Sequence, residues 1–277
     1  MSTGYSLHIG VNQYDPVHYN KEGKLKACEA DARSMERIAA DQGFNTTLLL
    51  TADARREAVL NHINNATKEL TAGDMYFITY AGHGGRVPDT SGEERDGKDE
   101  TWCLYDGQLL DDEITVAFAG FREGVRVLLI SDSCHSGTIV RSAGNDLDAL
   151  LKASPDGVGF RTEHPRASKS TYARNREFYD SIISSLPRKL PEPRAAVKSI
   201  CACHDDQLAA DGKVNGFFTT HLLEAWDDGH FDGSYKSLYG KVKRSMWWKT
   251  LWNGKNQVPV YISKGPEDRL FDKAFQL

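Results

Sequence analysis

No apolar run among the 277 residues is long enough to cross a bilayer, so a helical membrane span is excluded. Neither sign of charge dominates. The net charge of -5 gives no electrostatic case for DNA or RNA as a partner. There are only five cysteines, an odd number. The opening stretch "MSTGYSLHIGV" lacks the basic region, long apolar region and small-residue cleavage site of a secretory leader. Reduced thiols in the cytoplasm are therefore expected, not a disulfide framework. Internal repeats and low-complexity tracts are missing too. So is a Gly-rich strand-to-helix phosphate loop of either common type, which argues against a nucleotide-binding module.

What remains is an ordinary globular composition, 40% hydrophobic and 26% charged. The length allows one large domain or two small ones. Short apolar runs bounded by turn residues read as strands at residues 5–11, 46–50, 74–80, 126–130, 195–203 and 258–263. Helical spacing of apolar residues marks 24–42, 55–70, 111–121, 217–226 and 235–250. Residues 84–100 read as a polar loop, with a short strand at "WCLYD" beyond it. Residues 138–194, with scattered Pro and Ser and many cations, read as a long loop or insertion with at most short helices. The alternation argues for an α/β layered domain whose largely parallel sheet is buried on both faces. The insertion interrupts one sheet, since each side alone supplies too few strands.

Two chemically loaded turns fall at strand ends, where open α/β sheets build their sites. They are "YAGHGG" at 80–85 and "SDSCHSG" at 131–137. Consecutive strands are often neighbours, so His83 and Cys134 can share one crevice. A thiol is little ionised near neutral pH, yet the thiolate is the nucleophile. An imidazole beside it can take the proton and later protonate a leaving amine. The amides of Gly84 and Cys134 are candidate donors to the oxyanion formed on attack at a carbonyl. A buried structural cysteine and a satisfied core histidine are the plainer alternative for either residue alone. His135 is a rival base, although a side chain adjacent to the nucleophile tends to point elsewhere.

"YAGHGG" and "LLISDSCHSGT" resemble the His and Cys motifs of the caspase-like cysteine peptidases, nearest to the metacaspases and the bacterial orthocaspases. His precedes Cys by about fifty residues, as in that family. "ACEADAR", "DETWCLYD" through "LLDDEI", and "CHDDQLAAD" extend the resemblance to Asp211. It implies a single caspase-like domain, a three-layer sandwich with a mostly parallel six-stranded sheet. Residues 1–137 would be its large-subunit-like part, 138–194 a basic linker and 195–277 its small-subunit-like part. It also implies a cysteine endopeptidase cutting protein or peptide substrates after Arg or Lys, with an acid-lined pocket. The pocket positions fall on Asp31 and Asp132, with Cys28 and Ala81 as walls and Asp206 on the far side. A carboxylate pairs well with a guanidinium, and the planar fork of Arg can bond it twice. The plainer readings are a turn former for Asp132 and a solvated helix charge for Asp31.

Many metacaspases are activated by calcium, and that pattern maps onto Asp99, Asp111 and Asp112. These are oxygen ligands suited to a hard cation, or acids placed favourably at a helix start. A further acidic ligand of the family is Arg141 here, a cation able to replace the ion. No cofactor is required. "CACH" at 201–204 lacks the spacing and the second pair of a zinc site. Arg141, Arg161, Arg166, Lys169, Arg174, Arg176, Arg188 and Lys189 lie in the linker, where an Arg-directed peptidase could cut itself. Neither nucleic acid nor membrane is an expected partner, and a monomer is expected. A non-catalytic caspase-like adaptor is the rival reading.

Overall fold

The computed structural model describes residues 2–88, 97–134, 159–204, 207–253, 257–268 and 271–277. Its centre is a six-stranded sheet in the order β2-β1-β3-β7-β8-β9. The strands are β1 (Gly4–Gly10), β2 (Asn45–Leu50), β3 (Met75–Ala81), β7 (Arg126–Asp132), β8 (Ala196–Cys201) and β9 (Val260–Lys264). All pairings are parallel except β8 with β9. Buried side chains alternate between the two faces of the sheet. Met75 and Phe77 join Leu128 and Ile130 in one core, with Met35 and Ile38 of α2 (Cys28–Asp41). Phe218 and Leu222 of α7 (Phe217–Trp226) and Leu238 and Val242 of α8 (Tyr235–Asn253) complete that core. Tyr76, Ile78 and Tyr80 face the other way, against Val59 and Ile63 of α3 (Arg56–Glu69) and Phe118 of α4 (Asp111–Ala119). Burial on both faces is why these strands read as unbroken apolar runs. The three-layer, mostly parallel architecture is the one the sequence implies.

Three local differences bear on the site. The second helix begins at Cys28, not at 24. Asn12 reaches across to cap it, its Oδ1 accepting from the amides of Cys28 and Glu29 at 3.0 and 3.4 Å. The amides of Lys26 and Ala27 are thereby left to donate to Asp211. The polar stretch 84–100 is not simply a loop. Its ends form β4 (Gly84–Pro88) and the start of β5 (Lys98–Leu104), which pair antiparallel and continue into β6 (Gly107–Leu110). Polar residues disguise β5: Thr101 is buried because its hydroxyl donates to Gln108 Oε1 at 2.7 Å.

The third difference is in the linker, where α5 (Pro165–Arg174) and α6 (Arg176–Ser185) are ten residues each. The side chain of His164 caps the first, and Pro165 fits its first turn. Most of their residues stay partly or fully exposed, so apolar periodicity is weak. Tyr179 is the buried anchor, its hydroxyl 2.6 Å from His18 Nε2. A short α1 (Pro16–Tyr19) precedes all of these helices.

Candidate active site

β3 and β7 pair in register to their last residues, with Ala81 opposite Asp132. His83 and Cys134 each lie two residues further along, so the sheet delivers both turns to one level of its carboxyl edge. His83 is buried and its Nε2 lies 3.1 Å from the carbonyl oxygen of Gly23. A carbonyl can only accept, so Nε2 carries the proton and the buried Nδ1 keeps its lone pair. Burial holds the imidazole down at about 3, with Lys21 adding to the effect and the Gly23 carbonyl opposing it. It is therefore neutral at physiological pH, with the Nδ1 lone pair unprotonated, and the burial that keeps it so weakens it as a base while the cleft is filled. Tyr14 packs against it at 5.3 Å between ring centroids. Cys134 is fully buried, and its thiol donates to the carbonyl of Gln207.

A strand of the protein's own chain fills the cleft between these groups. Residues 159–163 run between β4 and residues 209–211. Asp211 N donates to Gly159 O at 2.9 Å, Arg161 N to Ala209 O at 2.8 Å and Glu163 N to Gly84 O at 2.8 Å. The carbonyl of Arg161 accepts from both Gly84 N (3.0 Å) and Cys134 N (3.1 Å), the two amides expected to hold an oxyanion. The backbone of the next residue, Thr162, is among the groups that act on the His83 imidazole.

The Arg161 side chain has no solvent exposure and ends among three carboxylates. One guanidinium nitrogen pairs with Asp31 and also with Asp211 at 3.0 Å. The other lies 2.8 Å from Asp132 Oδ2 and 3.2 Å from the Asp132 carbonyl. Each acid is held from behind. Asp31 accepts from Gly216 N at 3.0 Å and Asn215 Nδ2 at 2.8 Å. Asp132 accepts from the Thr219 hydroxyl at 2.7 Å. Burial raises the Asp31 carboxyl to about 6, against the pull of the Arg161 guanidinium. A Cβ on Gly216 would come within 2.6 Å of both that guanidinium and Asp132, so only glycine leaves the pocket open there.

The sequence-expected Asp31 and Asp132 thus converge on one buried cation. Cys28 and Ala81 form a small buried cluster with Leu25, close enough that Arg161 acts on the Cys28 thiol. Asp206, His135 and Arg141 lie outside the described residues. Three partners went unassigned in the sequence: the Gly23 carbonyl, the Asp211 carboxylate, and Arg161 as occupant instead of one linker cation among many. Asp211 was within reach, since "CHDDQLAAD" already marked that stretch. A backbone carbonyl from a loop remote in sequence has no sequence signature.

Asp99, Asp111 and Asp112 do line a common cavity of about 380 Å³, but Lys189 and Lys264 share it. Among the described residues no group of three or more His, Cys, Asp or Glu side chains could hold a metal ion. The fit to calcium is therefore partial, and no chemical step passes through an ion. All five cysteines are free thiols. Among the described residues no helix is long and apolar enough to cross a membrane.

The sheet order, the shared crevice and the acid-lined pocket define a caspase-like domain. The caspase domain pattern (Peptidase C14) matches residues 3–271. Metacaspase-1 of Mycosarcoma maydis is 32% identical over 299 residues, covering 95% of this chain and 71% of its own length. Metacaspase-1 of Schizosaccharomyces pombe is 27% identical over 256 residues, covering 80% of this chain. The chain spans only 58% of that relative's length. In three dimensions the crystal structure of protein GSU0716 from Geobacter sulfurreducens superposes with a TM-score of 0.87 at 42% identity, covering 99% of both chains. The chain belongs to the caspase domain family, with metacaspases among its relatives.

Proposed function

We propose that the protein is a cysteine endopeptidase that cuts after Arg, and less readily after Lys, and that it cuts itself between Arg161 and Thr162. The observation that carries this reading is the seating of Arg161. Its guanidinium fills the acid pocket while its carbonyl accepts from the two amides beside the nucleophile. His83 Nδ1 takes the thiol proton of Cys134. The thiolate attacks the Arg161 carbonyl carbon, and the carbonyl electron pair moves onto an oxygen held by the Gly84 and Cys134 amides. On collapse the C–N bond breaks and His83 returns the proton to the departing Thr162 amine. Water activated by His83 then hydrolyses the thioester, giving a carboxylate and regenerating the thiol. Arg outranks Lys because the three carboxylates together engage both terminal nitrogens of a planar fork, which an ammonium cannot match.

The test has two parts. Fluorogenic peptides ending in Arg, Lys or Asp should be cut in that order of preference, with Asp untouched. Cys134→Ala and His83→Ala should abolish turnover. Incubation of the intact protein should also produce a new amino terminus at Thr162, absent from Cys134→Ala. Equal fragment patterns for the two proteins would remove the self-cleavage claim. Calcium activation through Asp99, Asp111 and Asp112 is a separate proposal, checked by titrating peptidase activity with calcium. A cytoplasmic monomer is proposed as well: five free thiols suit a reducing compartment, and light scattering checks the mass.

A further inference from the structure

We infer that Lys21 reads an acidic side chain two residues beyond the cut, so that Arg-X-Glu or Arg-X-Asp sequences are preferred substrates; this rests on the endopeptidase reading. In the seated strand that position is Glu163. Its side chain has no solvent exposure and pairs with Lys21 Nζ at 2.9 Å. Burial of a carboxylate is costly unless a cation meets it. The second contact, from Ser168 Oγ at 2.9 Å, comes from α5, which is continuous with the strand and leaves with it. Lys21 is different. It stands on the loop whose Gly23 carbonyl orients His83, and its ammonium lies 5.6 Å from the centroid of the Tyr14 ring that packs on that imidazole. It therefore belongs to the fixed frame of the site and would face the same position of any strand bound in this register.

Two further described cations line the cavity of about 480 Å³ that runs past Thr162 and Glu163 and stay in place when the strand leaves: Lys98 of β5, and Arg86 of β4, which pairs with Glu100 at 3.2 Å; Arg166 and Lys169 line it too but stand on α5 and leave with the strand. Carboxylates thus take the residue before the cut, and the Lys21 ammonium meets the second residue after it. A peptide bearing Arg and then an acid complements both.

A competition assay tests this. Three peptides identical except for Glu, Gln or Lys two residues after a single Arg are mixed with the full-length protein, and products are counted by mass spectrometry. Internal competition reports relative kcat/KM whatever fraction of the enzyme is open. Glu should exceed Lys by about five- to tenfold, with Gln between, because the Lys21 ammonium is partly solvated. Lys21→Met should bring the three rates together, and Lys21→Glu should invert the order of Glu and Lys. Equal rates in the unaltered protein, with Arg still required before the cut, would overturn the assignment and leave the Arg preference standing. An unchanged Glu preference in Lys21→Glu would also overturn it. Failure to cut any Arg peptide would remove the peptidase reading, and this assignment with it.

Discussion

Asp31 carries the charge balance of the pocket. Its carboxyl is raised to about 6 by burial, so it is ionised above that pH and neutral below it. For binding, the grip on a guanidinium is complete above about 6 and weakens as pH falls through it. KM for an Arg peptide should therefore rise between pH 7 and 5 while kcat changes less, and Asp31→Asn should abolish that step. For folding, the sign is opposite. A raised carboxyl contributes most below its ordinary range and loses that contribution as pH rises through about 6. His83, held at about 3, does not titrate across this interval while the cleft is filled. Asp211 supplies one of the three carboxylates. Asp211→Asn should cost about 1.5–3 kcal/mol of Arg binding, seen as a rise in KM of roughly tenfold or more. An unchanged KM would show that the Asp211 contact is dispensable.

Among elements, the strands and helices of the central layer were legible because each is buried on a face whose period matches its geometry. The helix at 217–226 and the strand ends beside His83 and Cys134 are examples. The antiparallel hairpin of β4 and β5 was not, because Asp99 and Thr101 point inward and polar residues at buried positions erase the alternation. The linker, read as a loop with at most short helices, gives no placement for α5 and α6 for the opposite reason, exposure of most of their surface. The pocket was half legible. Asp31 and Asp132 stand in recognisable motifs, whereas Gly216 does its work through the side chain it lacks, just before α7. Gly216→Ala should push a methyl group into the space of the guanidinium at a cost of about 1–3 kcal/mol. Circular dichroism should be preserved and Arg-peptide turnover reduced. Full activity would show that the pocket wall can yield.

At the scale of the whole molecule, Cys134 is buried, its thiol donating to the Gln207 carbonyl and its amide to the carbonyl of Arg161 in the seated strand. Replacing Arg161 removes the cation that balances Asp31, Asp132 and Asp211 among the described residues, and breaking such a buried arrangement costs about 3–5 kcal/mol. Release of the strand lets water hydrate the three acids instead. In Arg161→Gln, iodoacetamide should label Cys134 at least about tenfold faster than in the unaltered protein. Equal labelling rates would mean that the strand is no barrier.

In sequence the bond between Arg161 and Thr162 lies between β7 and β8, which are neighbours paired from Arg126–Ala196 to Ser131–Cys201. Severing it would not divide the particle. The fragment ending at Arg161 and the fragment starting at Thr162 would share one sheet, each contributing an inner strand. A nicked sample should run as two bands under denaturing conditions and as a single species of unaltered hydrodynamic radius under native ones.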